Sequence, residues 1–147
     1  VLKSVDDIEP LSRLIAARSR FPMTVTIKQG ASRSEVQNRL AQRWFSDVSR
    51  QLEDQTHEDV RAYCKLHFGV PILRAENEAF RQSYDATVRP LNYEAKLAAI
   101  KAFDLPVTRL MRVKQMTAFM EEMQRHWSGQ GIRLTDPEAM KYEEGLA

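Results

Sequence analysis

The chain has 147 residues, of which 43% are hydrophobic and 29% are charged, and its formal net charge is +2. This length and composition predict one globular domain with enough residues to bury a core. The apolar runs are only a few residues long, which argues against a bilayer-spanning helix, and no secretion signal is visible. The single Cys64 excludes an internal disulfide framework and fits a reducing compartment.

Charge is distributed unevenly along the chain. Residues 28–50 hold five cations and two anions, and residues 105–114 hold three cations and no acid. Residues 135–147 hold four acids and one lysine. A basic middle with an acidic tail can produce a local positive field in a nearly neutral protein. The two basic segments are therefore the first places to look for a surface that binds an anion.

The first predicted elements are a helix, a strand and a turn. Ser4 and Asp7 resemble a capping box, and the apolar residues after them recur at helical spacing until the chain nears Pro22. Residues 23–27 alternate and are rich in β-branched side chains, which predicts a strand. Residues 29–32 predict the turn that follows it.

A helix over about 34–52 is predicted next, with its apolar residues on one side and arginines on a flank. Arg39, Arg43 and Arg50 fall within about 40° of one another at 100° per residue. A solvated surface and a phosphate-binding strip both fit this pattern. Arginine favours the second, because the guanidinium group makes forked contacts with phosphate. Gln37 lies at the centre of the apolar side, where a polar group is costly unless it has a partner.

The rest of the chain is predicted to be mostly helical, which makes the fold class a helix-rich α+β single domain over residues 1–147, with one or two short strands. The cleanest apolar stripe is formed by Met116, Phe119, Met120, Met123 and Trp127. The predicted elements are a helix over 57–68 that is capped by Thr56 and stopped by Gly69, one helix from 71 to 89, a helix over 93–103 capped by Asn92, a loop or short strand at 105–110, a helix over 113–127, an extended segment at 132–134, and a final helix capped by Thr135.

Three potential zinc ligands share one predicted helix face. His57, Cys64 and His67 lie within roughly 80° of one another on a helical wheel. Their spacing is wider than in structural zinc sites, and a fourth ligand is missing. A core histidine and a buried thiol are the favoured interpretation.

A second group resembles part of a metal-dependent nuclease site. Asp85 and Glu94 could hold a divalent metal while Lys96 orients a water molecule. Glu94, however, falls in the first turn of a predicted helix, where an acid already suits the helix dipole. The chain also lacks the motifs of nucleotide-binding loops and nucleophile elbows. The sequence therefore favours neither metal site and gives no support for a nucleotide-binding loop or a nucleophile elbow.

A more specific pattern lies in residues 25–51. The sequence V-T-I-x-x-x-x-x-R-S-x-x-Q-N-R, followed by D-V-S-R-Q at 47–51, resembles the NinB (Orf) family of recombination proteins from lambdoid phages. A second match joins Met-Arg-Val at 111–113 to G-I-R-L-T-D at 131–136. The resemblance covers about 22–53 well and about 108–140 more thinly.

The resemblance implies a non-enzymatic, NinB-like recombination mediator in the bacterial cytoplasm, with no catalytic residue, metal or cofactor. Such proteins are homodimers with a basic cleft that binds DNA, and they prefer single strands. They help to load a RecA-type recombinase onto strands coated by host single-strand-binding protein. The cleft positions that match are Arg33, Gln37, Asn38, Arg39 and Arg112. Neighbouring residues added on charge alone are Lys28, Arg43, Arg109 and Lys114.

Two other functions stay open at this point. One is the metal-dependent DNA nuclease built on Asp85, Glu94 and Lys96. The other is an interaction module that binds a protein and no DNA. Binding of duplex or gapped DNA also stays open, because both kinds of DNA present a phosphate backbone.

Overall fold

The computed structural model describes residues 4–17 and 35–143. Contacts between Cα atoms divide the chain into two compact units, Val1–Gly30 and Ala31–Ala147. In the first unit, a 3₁₀ turn at Val5–Asp7 leads into helix α1, Ile8–Ala17. The amide of Ser4 donates to Asp7 Oδ2 at 3.1 Å, which is half of the predicted capping box.

The second unit is built from helices joined by short connections. Its core is formed largely by the helices Glu35–Leu52 and Val113–Gly129, which bury Trp44, Phe45, Met116, Phe119 and Met123. Helix bounds are α2 Glu35–Leu52, α3 His57–Cys64, a π-helical turn Lys65–Gly69, α4 Val70–Glu76, α5 Glu78–Thr87, α6 Tyr93–Ala102, a 3₁₀ turn Thr108–Leu110, α7 Val113–Gly129 and α8 Pro137–Glu143.

The expected α+β class is wrong, because residues 4–17 and 35–143 contain helices and no β-strand. The strand predicted at 23–27 lies outside the described residues. The segment 132–134 is neither helix nor strand, and its backbone pairs with a side chain, that of Gln51, where a strand would need a neighbouring strand. The segment 105–110 likewise begins as a loop and ends in the 3₁₀ turn.

Several predicted helices are confirmed. Helix α2 covers the predicted 34–52 to within one residue. Thr56 and Asn92 cap α3 and α6, since their side chains accept hydrogen bonds from Asp59 N and Ala95 N. In α7 the whole predicted stripe is buried, from Met116 to Trp127. Its period of three and four residues places one continuous apolar face against the core.

Gly69 does not stop a helix, contrary to the prediction. The chain passes from α3 through the π-helical turn directly into α4, and Gly69 has a right-handed backbone with φ −77°. A Cβ atom at this position would lie 2.6 Å from Val107 Cγ1. Gly69 is therefore needed for the close approach of the 105–110 segment.

The single helix predicted over 71–89 is two helices. Asn77 interrupts it with an extended backbone (φ −124°, ψ 102°), and its side chain accepts from Phe80 N. This local hydrogen bond begins α5 as a separate helix, which is how a capping residue competes with helix continuation. Thr135 does not cap α8 as predicted, because Asp136 Oδ1 accepts from Glu138 N at 2.7 Å and takes that role.

Candidate nucleic-acid interface

A groove of about 520 Å³ runs along the outer face of α2. Its polar wall consists of residues at positions i, i+1, i+4, i+5 and i+8 of that helix, which share one side at helical spacing. Met140 and Glu143 of α8 line it as well. The α2 residues in the groove are Asn38, Arg39, Gln42, Arg43 and Ser46, and His57 of α3 completes the lining.

The arginines beside this groove are not an isolated row of cations. Arg43 Nε lies 3.7 Å from Asp47 Oδ1, and an Arg43 terminal nitrogen lies 3.3 Å from Glu143 Oε2. Arg50 donates to the same Asp47 oxygen at 2.6 Å. Arg39 also has an interaction partner. The flank predicted from the helical wheel is thus real in geometry, but part of its charge is balanced by acids.

Asp47 anchors the segment before α8. The residue is only 3% exposed, and its Oδ2 accepts from both the backbone N and the Oγ1 of Thr135, each at 2.7 Å. Trp44 Nε1 donates to the Thr135 carbonyl at 2.8 Å. A buried carboxylate needs such partners to offset its lost hydration. Together these contacts hold α8 over α2 and so form the second wall of the groove.

Gln51 continues the same contact one turn further along α2. Its Nε2 donates to the Arg133 carbonyl at 2.7 Å, and its Oε1 accepts from Arg133 N at 2.8 Å. The D-V-S-R-Q and G-I-R-L-T-D motifs of the sequence are therefore in direct contact, through Asp47 and Gln51. This pairing was not predicted from the sequence, although the i, i+4 spacing of two polar residues on a helix flank was a visible signal.

Gln37 is half-buried and joins α2 to the start of α7. Its Nε2 donates to Thr117 Oγ1 at 2.8 Å and to the Val113 carbonyl at 3.4 Å. The amide therefore has partners, which explains how a polar group is tolerated on the apolar side of α2. Both partners lie in the first turns of α7, so the bond places the Q-N-R segment beside the segment that begins with Arg112.

The remaining candidate residues lie in several places. Arg112 and Lys114 are exposed at the start of α7, where the backbone N of Arg112 donates to Gln115 Oε1. Arg109 is exposed in the 3₁₀ turn and donates to the Asp104 carbonyl at 3.3 Å. Lys28 and Arg33 lie outside the described residues. The structure thus gathers Asn38, Arg39 and Arg43 in one groove and brings Gln37 to α7, while Arg109 lines a different pocket.

The three potential zinc ligands point to separate neighbours. His57 packs edge-on against Phe45 with ring centroids 5.7 Å apart, and His67 Nε2 lies 2.8 Å from Tyr93 Oη. Burial raises the pKa of the Cys64 thiol to about 12, which keeps it protonated. In the described part of the chain, no group of three His, Cys, Asp or Glu side chains could hold a metal ion.

The proposed nuclease residues are also engaged elsewhere. Asp85 forms a two-bond ion pair with Arg74, at 2.7 and 2.9 Å, and a further contact of 3.3 Å with Arg89. The hydrogen bonds from Arg74 hold the pKa of Asp85 below its usual value. Glu94 lies exposed in the first turn of α6. Both carboxylate oxygens of Asp85 already accept hydrogen bonds from the Arg74 guanidinium. The arrangement of Asp85, Glu94 and Lys96 therefore does not favour metal binding.

No helix within residues 4–17 and 35–143 combines the length and apolar composition needed to cross a membrane.

Comparisons of the chain with protein-family models, with curated protein sequences and with solved structures found no match. The resemblance to NinB therefore rests on the quoted residues.

Proposed function

We propose that the protein binds single-stranded DNA through the α2 groove and acts as a non-enzymatic recombination mediator in phage or prophage recombination. The observation that carries the proposal is the composition of this groove. Two guanidinium groups, two amides and one hydroxyl from a single helix face line about 520 Å³ of open space. These groups suit phosphate and sugar oxygens and also base edges.

The acids beside the groove do not prevent phosphate binding. The Arg43 and Glu143 side chains are 42% and 56% exposed, and such a pair contributes only about 0–1 kcal/mol in water. A phosphate can therefore replace Glu143 as the partner of Arg43 at small cost. Asp47 differs because it is buried and bonded to Thr135, so it keeps Arg43 oriented towards the groove.

The bond from Gln37 to α7 supports an extension of this surface beyond the groove. It fixes the first turns of α2 beside the first turns of α7, where Arg112 and Lys114 are exposed. A DNA strand that leaves the groove in this direction would meet these two further cations. Arg112 and Lys114 of the second basic segment would then act on the same ligand as Arg39 and Arg43 of the first.

The protein partners belong to the same proposal. The NinB resemblance implies a homodimer that cooperates with a RecA-type recombinase and host single-strand-binding protein. Sedimentation velocity with and without oligothymidylate tests the dimer, which should be present before DNA is added. Only monomer at all concentrations would contradict this part.

The central test is a salt titration of oligothymidylate binding, followed by fluorescence anisotropy. Removing two phosphate contacts with Arg39→Ala plus Arg43→Ala should lower the magnitude of the log–log salt slope by about 1.4, at about 0.7 per contact on single strands. The matched control is Arg81→Ala plus Arg125→Ala. These arginines are exposed and form ion pairs on α5 and α7, outside the groove.

The outcomes separate this proposal from its alternatives. A control variant that binds like the wild type, beside a weakened groove variant, supports the groove. Equal binding by wild type and both variants would mean that the α2 flank is a solvated surface. Cleavage of labelled DNA with magnesium or manganese that Glu94→Gln abolishes would favour the nuclease.

A further inference from the structure

A second and smaller pocket lies where α3, the π-helical turn and the 104–109 segment meet. Its volume is about 180 Å³. This is below the roughly 300–1,000 Å³ of pockets that enclose drug-sized ligands, so it suits a single compact group. The polar residues that line it are Arg61, Lys65, Asp104, Thr108 and Arg109.

Three cations from three elements converge on one residue in this pocket. Lys65 Nζ donates to Asp104 Oδ1 at 2.7 Å, and Arg61 lies 2.8 Å from the same oxygen. Arg109 donates to the backbone carbonyl of Asp104 at 3.3 Å. Convergence of cationic donors on a point is the arrangement used to bind oxyanions.

The cations of this pocket outnumber the acids that contact them. Among the described residues, Asp104 is the only acid that lines the pocket. One more acid, Glu58, contacts these cations from outside the lining, 3.3 Å from Arg61. Two acids thus face three cations. Lys65 is 3% exposed, and burial, together with Arg61 and Arg109, lowers its pKa. A buried ammonium in such surroundings is stabilised by any additional anion.

Asp104 has the features of a replaceable partner. Its side chain is 56% exposed, although it accepts from the buried Lys65. Its backbone has φ +44°, in the left-handed region that non-glycine residues seldom adopt. The carboxylate therefore lies at the solvent-exposed mouth of the pocket, where a larger anion could compete with it for Lys65 and Arg61.

We propose that this pocket binds a phosphate group, either inorganic phosphate or a phosphomonoester, which replaces the Asp104 carboxylate as the partner of Lys65 and Arg61. A phosphate offers more acceptor oxygens than a carboxylate and so can also reach Arg109 and the Thr108 hydroxyl. The π-helical turn supports this assignment, because such turns are frequent at functional sites. The inference does not depend on DNA binding in the α2 groove.

Calorimetric titration with inorganic phosphate at constant ionic strength tests the proposal. We expect saturable binding by the wild type. Arg109→Ala should bind phosphate at least about tenfold more weakly, which is the effect expected for the loss of a charge-assisted hydrogen bond. Asp104→Asn should bind more tightly than the wild type, because the internal competitor loses its charge. Arg125→Ala, which removes an exposed arginine elsewhere, should match the wild type.

Circular dichroism and thermal unfolding check that each variant folds. Lys65→Met is a further variant and should abolish phosphate binding. If Lys65→Met does not fold, Arg109→Ala still carries the test, because Arg109 is exposed. Absence of saturable binding by the wild type would overturn the proposal. So would binding by Arg109→Ala and Asp104→Asn with the wild-type affinity.

The source of the phosphate is resolved with two oligothymidylates, one with a 5′-phosphate and one with a 5′-hydroxyl group. Tighter binding of the first, lost in Arg109→Ala, would assign the pocket to strand ends. Equal binding of both, with retained binding of inorganic phosphate, would assign it to small phosphates. The Arg39→Ala plus Arg43→Ala variant should bind inorganic phosphate normally, so failure of the groove proposal and failure of this one can be told apart.

Discussion

Gln51 satisfies both backbone groups of Arg133, with its Nε2 2.7 Å from the carbonyl oxygen and its Oε1 2.8 Å from the amide nitrogen. The side chain thus takes the place of a neighbouring strand. Asp47 accepts hydrogen bonds from Thr135, two residues after Arg133 along the chain. Gln51 and Asp47 together fix the connection between α7 and α8. The wall of the groove that α8 supplies depends on these bonds.

Replacing Gln51 should therefore weaken the fold. Gln51→Ala removes both bonds to the Arg133 backbone, and we expect the free energy of unfolding to fall by about 0.5–1.5 kcal/mol, because water can reach the exposed groups that lose their partner. Urea unfolding followed by circular dichroism measures it. Gln82→Ala, an exposed glutamine within α5, makes the same chemical change and should stay within about 0.5 kcal/mol of the wild type. Similar losses in both variants would contradict the structural role.

Two glycines give a matched test of the contact between the π-helical turn and the 105–110 segment. Gly69→Ala should lower the free energy of unfolding by about 1–2 kcal/mol, since overpacking against buried Val107 outweighs the gain in helix propensity. Gly129→Ala has no atom within 4 Å of its new Cβ and should raise stability by up to about 1 kcal/mol. Thermal unfolding of both variants would show opposite shifts, and a stabilised Gly69→Ala would refute this packing.

The helices could be predicted from the sequence where periodicity is long and uninterrupted. In α2 and α7 every third or fourth residue is apolar over more than four turns, so the buried faces were evident. The break at Asn77 was missed because a single side-chain hydrogen bond, to Phe80 N, decides it. Nothing in the hydrophobic pattern distinguishes α4 and α5 from one continuous helix.

The candidate site was only partly predictable. Its α2 wall follows from helix geometry alone, as the positions of Arg39 and Arg43 demonstrate. The partners of Arg43 could not be predicted, because Glu143 is one hundred residues away and reaches the groove only through the fold. The 132–134 segment was correctly expected to leave the helix, but its partner is a glutamine side chain, which alternation of residues cannot reveal.

Acid should remove the contribution of one ion pair between α3 and α6. Hydrogen bonds from Lys101, and then from Thr56, lower the pKa of Asp59 from 3.8 to about 2. A carboxyl group whose pKa is lower in the folded state stabilises the fold above pH 3.8, and this contribution is lost as the pH falls towards 2. Solvent screening keeps it small, since the Asp59 and Lys101 side chains are 35% and 48% exposed.

The measurement compares wild type with Asp59→Asn in urea at a series of pH values. The wild type should be more stable at pH 7, and the difference should shrink between pH 4 and pH 2. A difference that is constant over this range would mean that Asp59 acts only as the Thr56 capping partner, without a charge contribution.

Glu143 provides the sharpest test of the groove, because its removal should improve function. Glu143→Gln removes the acid that lies 3.3 Å from Arg43 and leaves the guanidinium available to phosphate. We expect oligothymidylate to bind about twofold to fivefold more tightly at low salt, corresponding to the roughly 0.5–1 kcal/mol of an exposed ion pair. The matched control is Glu122→Gln, which removes an acid 2.7 Å from Arg125 on α7 and should give no comparable gain. An equal gain in both variants would reflect net charge alone, and the α2 groove would not be the binding surface.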